Sequence, residues 1–344
     1  MEKNARTTRR DFVKTTALAG AAAAVARKSA ASPKAQSGFR PGEMKLGSVS
    51  WNFRGIGQGP PWDEAVDAAG ALGLQGIELI VSRPEDLDNY WKKEPALSTI
   101  QKKLEKNKLA VSQFVLFQSA VENLSNLDAD KRNRSLDVFE EGCKIAAKLN
   151  APYINIVAPW ARELSGPREY LPRYFAVGKN DAQRKYHIDI ADGFDWDAVW
   201  TTFVRTIKEA VERAQSHGVE FTLENHTHTL VHDATAFLKL WDEVKSPALG
   251  MNLDIGWIQL QREYPPFAIH KVKHHLRHVH IRDIDAQGLI FVGIGEGVMD
   301  YPGVVEALKK IGYTGFLSFE QDGVPDMNAT IRNGKAILEK LIGS

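Results

Sequence analysis

The 344-residue sequence predicts a closed, eight-stranded parallel α/β barrel, the (β/α)8 or TIM architecture. Short apolar or β-branched runs alternate with longer amphipathic stretches from Met44 onward, eight times over. No glycine-rich turn follows the first run, KLGSVSW, as a doubly wound open sheet would require. Once an N-terminal stretch of different composition is set aside, roughly 300 residues remain, which suits one barrel.

The eight expected strands are 45–51, 76–80, 109–115, 153–158, 219–225, 249–254, 276–283 and 315–321. Each is a short run rich in Val, Ile, Leu and Phe, the composition of a pleated, buried surface. Between them lie stretches with apolar residues at helical spacing, among them WDEAVDAAGAL, LSTIQKKLEKN, RSLDVFEEGCKIAAKL, WDAVWTTFVRTIKEAVERAQS, ATAFLKLWDEV and YPGVVEALKKI. ATIRNGKAILEKLI closes the chain. The stretch 161–195 is long for a strand–helix connection. Its Arg, Tyr and Trp content suits a lid over a carbohydrate, with a surface insertion or a homo-oligomer contact as the alternative.

Two units are expected: 1–40, a leader with linker, and 41–344, a single catalytic barrel. Thr8-Arg9-Arg10-Asp11-Phe12-Val13-Lys14 precedes the mild apolar run TTALAGAAAAVA. It resembles a twin-arginine export signal, which implies a periplasmic or otherwise extracytoplasmic protein. The alanine-rich run is too short and too weakly apolar to persist as a membrane span.

Composition narrows the function. With 43% hydrophobic and 25% charged residues and a net charge of +1, the chain lacks the basic footprint of a nucleic-acid binder. One cysteine, Cys143, excludes an internal disulfide and a thiolate cluster.

Four strand ends carry the chemistry: LEN, LDIG, HVHIRD and SFEQ, ending runs with Glu224, Asp254, His280 and Glu320. Side chains alternate along a strand, so Phe221 and Leu223, Met251 and Leu253, Val279 and Ile281, and Leu317 and Phe319 face the helices. The four polar residues then share the inward parity near the C-terminal strand ends, where barrel active sites are built. Three carboxylates in one barrel mouth repel strongly unless a cation offsets them. One imidazole and three carboxylates suit a single divalent ion: manganese, cobalt, magnesium or zinc. A hydrogen-bonded polar network that includes Arg282 is the bland alternative.

LENH, LDIGW, HVHIRD, the loop GIGEGVMDYPGVVEALKKIGYTG and LSFEQ together resemble the sugar phosphate isomerase/epimerase family of xylose isomerase-like barrels, from Met44 to Leu341. The resemblance implies that Glu224, Asp254, His280 and Glu320 are the metal ligands, with His278 behind them. Many relatives carry a histidine three residues after the aspartate; here that residue is Trp257. This departure argues against the multi-zinc site of related endonucleases.

The chemistry expected is proton abstraction beside a carbonyl, with the ion stabilising the enediolate and Glu224 and Glu320 as catalytic bases on opposite faces of the sugar carbon. Reprotonation gives isomerisation or epimerisation. Expulsion of a β-oxygen, as in 3-keto-glycoside elimination, is the runner-up, and a non-catalytic carbohydrate-binding barrel is the alternative of another class. Glu296 in GIGEG would repel an anion, so an unphosphorylated sugar or keto-sugar is the expected substrate. Glu78, His226 and Arg282 are candidate substrate contacts, and Trp51 and Trp257 candidate apolar walls.

Overall fold

The computed structural model describes residues 43–161, 164–165, 189–227, 229–286, 290–321 and 323–344. The expected leader (1–40), most of the expected lid and His228 lie outside them. Eight parallel strands close into a barrel in sequential order: β1 (Lys45–Val49), β2 (Gly76–Val81), β3 (Ala110–Leu116), β4 (Tyr153–Val157), β5 (Glu220–Glu224), β6 (Leu249–Asp254), β7 (Leu276–Ile281) and β8 (Phe316–Phe319). The fold is the TIM barrel that the alternating pattern predicts. Of the long 161–195 connection, Leu164–Ser165 and Asp189–Ile190 form a two-residue antiparallel ribbon.

The intervening helices start where the sequence supplies an acceptor for their free N–H groups. Asp128, Asp195, Asp233, Asp300 and Asp326 each accept a backbone N–H of the following turn. Their apolar faces cover the strands. Phe221, Leu223, Met251, Leu253, Val279, Ile281, Leu317 and Phe319 have no exposed surface and lie in one continuous core. No described helix is long and apolar enough to cross a membrane.

The barrel interior departs from the usual aliphatic filling. Glu78, Gln113, Asn155, Thr222, Asn252, His278 and Ser318, one from each of β2 to β8, are all wholly buried. They hydrogen-bond around and across the barrel, as buried polar groups must. At its lower end Phe316 lies against Gly76, where a Cβ would run into the ring, so the closure there depends on glycine.

Strands β7 and β8 stop short of the expected 283 and 321. The side chains just beyond them capture backbone groups and bend the chain off the ladder. Asp283 accepts N–H bonds from Ile284, Gly295, Gly297 and Met299. Gln321 donates to the carbonyls of Asp283 and Val292.

Candidate metal centre

Above the polar layer, the ends of β5 to β8 bring Glu224, Asp254, His280 and Glu320 together. One ligand atom from each lies within 4.8 Å of the others, and all four residues are buried. Alternation places them there, and local hydrogen bonds hold them. Asp254 ends β6 and caps the short helix Ile255–Leu260, its Oδ1 accepting from Gly256 N at 2.8 Å and Trp257 N at 3.0 Å. Asn225 Nδ2 donates to the Asp254 carbonyl, and Asn225 Oδ1 accepts the Asp254 N–H at 3.0 Å. That exchange pins the tip of β6 to the tip of β5.

The imidazole of His280 stands at the centre. Its Nδ1 is 2.6 Å from Glu320 Oε2, 3.5 Å from Glu224 Oε1 and 4.0 Å from Asp254 Oδ2. Despite that 2.6 Å approach, Glu320 Oε2 is buried and has no hydrogen-bond partner among the described residues. An acceptor left so close to a second donor-set atom fits a divalent cation held between them. The donor set, one nitrogen and three carboxylates, fits the same hard to borderline ions.

The remaining oxygens are anchored unequally. Glu320 Oε1 accepts from Trp51 Nε1 at 3.0 Å and lies 2.6 Å from Arg282 Nη2, whereas Glu224 Oε2 accepts only amide N–H groups, from Asn252 at 3.2 Å and Asn155 at 3.3 Å. The electrostatics follow that geometry. Burial, with the charges of Glu320 and Asp254, pushes the Glu224 carboxyl up to about 7 against the pull of His280. Burial acts on Glu320 too, but Arg282 and His280 outweigh it and hold that carboxyl well below its ordinary value. For His280, burial opposes the charge, yet Glu78, Glu224 and Glu320 together raise it well above an ordinary imidazole.

Arg282, expected at the substrate, is only 2% exposed. It bridges two of the cluster's carboxylates, with Nε donating to Asp254 Oδ2 at 2.6 Å. Its guanidinium lies 5.1 Å from the Trp257 ring centre and 4.6 Å from that of Phe291. Gly256 makes room for this, since a Cβ there would fall 2.7 Å from Arg282 Cβ. Trp257, expected as an open sugar wall, is buried against Phe291, Arg282 and the ring of His226, whose centre is 3.8 Å away. His226, expected at the substrate, is thereby packed as an aromatic. Trp51 is half-buried, its N–H spent on Glu320. Glu78, expected at a sugar hydroxyl, is wholly buried beneath the cluster, with its two oxygens 3.0 and 3.1 Å from His280 Nε2.

The sequence reading assigned no role to Gln113, Asn155, Asn225 or Asn252. The available signal was a lone amide within an apolar run, as in AVSQFVL or YINIV.

The four buried groups at the C-terminal mouth of the polar barrel make a candidate site for one divalent cation. The model of the xylose isomerase-like TIM barrel family matches residues 66–341, and the chain belongs to that family. An uncharacterized protein of Methanocaldococcus jannaschii, MJ1311, is 29% identical over 126 residues, 35% of this chain and 43% of that protein, so the match spans less than half of that relative. The L-ribulose-5-phosphate 3-epimerase UlaE of Escherichia coli is 23% identical over 261 residues, 75% of this chain and 81% of that protein. Among solved structures, D-psicose 3-epimerase with D-fructose superposes with a TM-score of 0.67 at 19% identity, covering 88% of this chain and 100% of the other.

Proposed function

We propose that the chain is an exported sugar isomerase or epimerase in which Glu224, Asp254, His280 and Glu320 hold one divalent cation. The observation that carries this is the convergence of four buried ligand atoms, one of them, Glu320 Oε2, without a hydrogen-bond partner. The names of the similar proteins, two 3-epimerases of ketoses or their phosphates, agree with it. When bound, the cation would polarise a substrate carbonyl and stabilise the negative charge that deprotonation creates beside it.

The residues of the chain divide the rest of the work. Glu224, pushed up to about 7 and held at Oε2 by two amide donors, takes the proton next to the carbonyl. Glu320, clamped by Trp51 and Arg282, stays ionised and holds its inner oxygen on the cluster. Burial keeps bulk water from competing for the proton.

An unphosphorylated sugar is the better substrate. The amides of Gly295, Gly297 and Met299, which the glycine loop would offer an anion, are already taken by the Asp283 carboxylate. The twin-arginine motif at Arg9 and Arg10 supports action outside the cytoplasm, where sugar phosphates are scarce.

The test is metal analysis of the purified protein, then incorporation of solvent deuterium into a panel of ketoses and 3-keto-glycosides. Exchange with an intact carbon skeleton supports the proposal. Loss of water or aglycone would reassign the chain as a lyase. An absence of exchange on every sugar would leave a carbohydrate-binding barrel.

A further inference from the structure

We propose that Glu78 is a positioning residue for the metal centre: with Gln113 as its partner, it holds His280 with Nε2–H pointing inward and the Nδ1 lone pair facing Glu224, Asp254 and Glu320. The inference rests on the metal reading above and extends it to two residues outside the ligand set.

The argument begins with backbone register. Strand β2 pairs with β3 as Ile77 to Val111 and then as Glu78 to Gln113, so Ser112 is an extra residue on β3. Such bulges re-aim side chains next to functional sites. This one sets the long amide of Gln113 opposite Glu78, where regular pairing would have set the short hydroxyl of Ser112.

Hydrogen-bond polarity does the rest. An ionised carboxylate can only accept, so the Gln113 NH2 must face Glu78, donating to Oε2 at 2.7 Å. The amide oxygen of Gln113 then faces Thr222, whose hydroxyl lies 3.1 Å away. The same one-way requirement falls on His280. Nε2 is 3.0 Å from Glu78 Oε1 and 3.1 Å from Oε2, so the proton must sit on Nε2. The opposite tautomer would set the Nε2 lone pair against a carboxylate at that distance and would aim an N–H at the cation.

Glu320 Oε2, 2.6 Å from Nδ1, asks for a proton on that nitrogen too when no cation is bound, and the cation would take that proton's place; the remaining neighbours do not override the proton on Nε2. Gln113 Nε2 is 3.4 Å from His280 Nε2, farther than either carboxylate oxygen. Asn252 Nδ2 lies 3.2 Å from Nε2 and 3.5 Å from Nδ1, so it is not aimed at one lone pair. His278 has its own partners, with Nδ1 3.2 Å from Asn252 Oδ1 and Nε2 3.4 Å from Ser318 Oγ, and its Nε2 lies 3.5 Å from Glu78 Oε1, farther than His280 Nε2 does. A histidine ligand whose second nitrogen is held by a carboxylate is fixed in both tautomer and ring orientation.

The decisive experiment exchanges the partners. Full-length protein stripped of metal is titrated with Mn2+ by calorimetry, as wild type, as Glu78→Gln, and as the swap Glu78→Gln/Gln113→Glu. In the single variant the carboxylate behind His280 is lost, and an amide NH2 at position 78 finds an acceptor only if the Gln113 amide flips and turns its own NH2 to the Thr222 hydroxyl, so the original polarity is gone. The swap restores it. His280 then donates to the amide oxygen at position 78, while that amide's NH2 and the Thr222 hydroxyl donate to the carboxylate at position 113. Mn2+ affinity is expected to fall about 10- to 100-fold in Glu78→Gln and to return to within about threefold of wild type in the swap.

A second readout needs no variant at Glu78. Long-range proton–nitrogen spectra of the Mg2+-loaded wild type, with His280 assigned by its loss in His280→Gln, should show Nε2 protonated. Unchanged Mn2+ affinity in Glu78→Gln, a swap no better than the single variant, or a protonated Nδ1 would overturn the role of Glu78 alone. A wild type that binds no Mn2+ would instead sink the metal reading and this proposal with it. Two Mn2+ per wild-type chain falling to one in Glu78→Gln would make Glu78, His278 and His280 a second site, and would also overturn it.

Discussion

Arg282 Nε donates to Asp254 Oδ2 at 2.6 Å, from the first residue beyond β7. The guanidinium also reaches Glu320, so one buried cation offsets two carboxylates. Replacing it with Met leaves those charges uncompensated. The metal-free Arg282→Met protein should lose about 3–5 kcal/mol in a urea titration, as expected for one half of a buried ion pair. Saturating Mn2+ should recover part of that loss, because the ion takes over the neutralisation. Equal losses with and without Mn2+ would separate Arg282 from the metal site.

Removing the proposed base tests the chemistry directly. Glu224→Gln should depress deuterium incorporation into a turned-over ketose by at least about 100-fold, the contribution of a positioned base. Glu320→Gln should also abolish exchange, through lost Mn2+ binding. Exchange at wild-type rate in Glu224→Gln would refute its role.

The elevated Glu224 carboxyl sets a pH dependence. Metal binds the ionised form, and this group, pushed up to about 7, is protonated below that value. His280, raised well above an ordinary imidazole, must give up a proton to the ion as well, so Mn2+ affinity should fall by up to about a hundredfold per pH unit on going from about 7 to about 5.5, with release of up to two protons visible when buffers of different ionisation heat are compared. The metal-free protein should show the opposite slope in stability. His278, held down to about 4 by burial despite Glu78, opposes this slope only until about pH 7.5, where the unfolded histidine has lost its proton as well. The raised groups Glu224 and His280 then dominate, because the folded chain binds more protons than the unfolded one. Stability without metal should decline between about pH 6.5 and about pH 8. A rise over that interval would contradict the assigned shifts.

Asp283 is expected to matter for the loop rather than for catalysis. Its two oxygens accept four backbone N–H groups, and an Asn would turn one oxygen into a donor facing two of them. Asp283→Asn should cost about 2–4 kcal/mol by denaturant titration, from buried donors left unpaired. A change below about 0.5 kcal/mol would mean that water replaces the lost acceptor.

The strands, their order and the four-residue cluster could be read from a pattern that repeats at short range. An apolar run ending in Glu224 or Asp254 states both a strand and its parity, because alternation is a local property of the backbone. Arg282 shows where that reasoning stops. Its position beside the cluster was legible, but which acceptor would hold it depended on Gly256 leaving space and on Glu320 arriving from another strand. Trp257 was misplaced for a related reason: its ring is covered by Phe291 and His226, residues remote along the chain.

Amino-acid order alone was enough for the barrel and for the acids at its mouth, since both follow from periodicity and from the cost of burying like charges together. Glu78 could not be understood that way. A one-residue bulge at Ser112 and a contact with His280, 202 positions away, set an expected sugar ligand against an imidazole deep in the barrel. Hydrogen-bond partners in a closed barrel are chosen by distance across the interior, and that distance exists only once all eight strands have met.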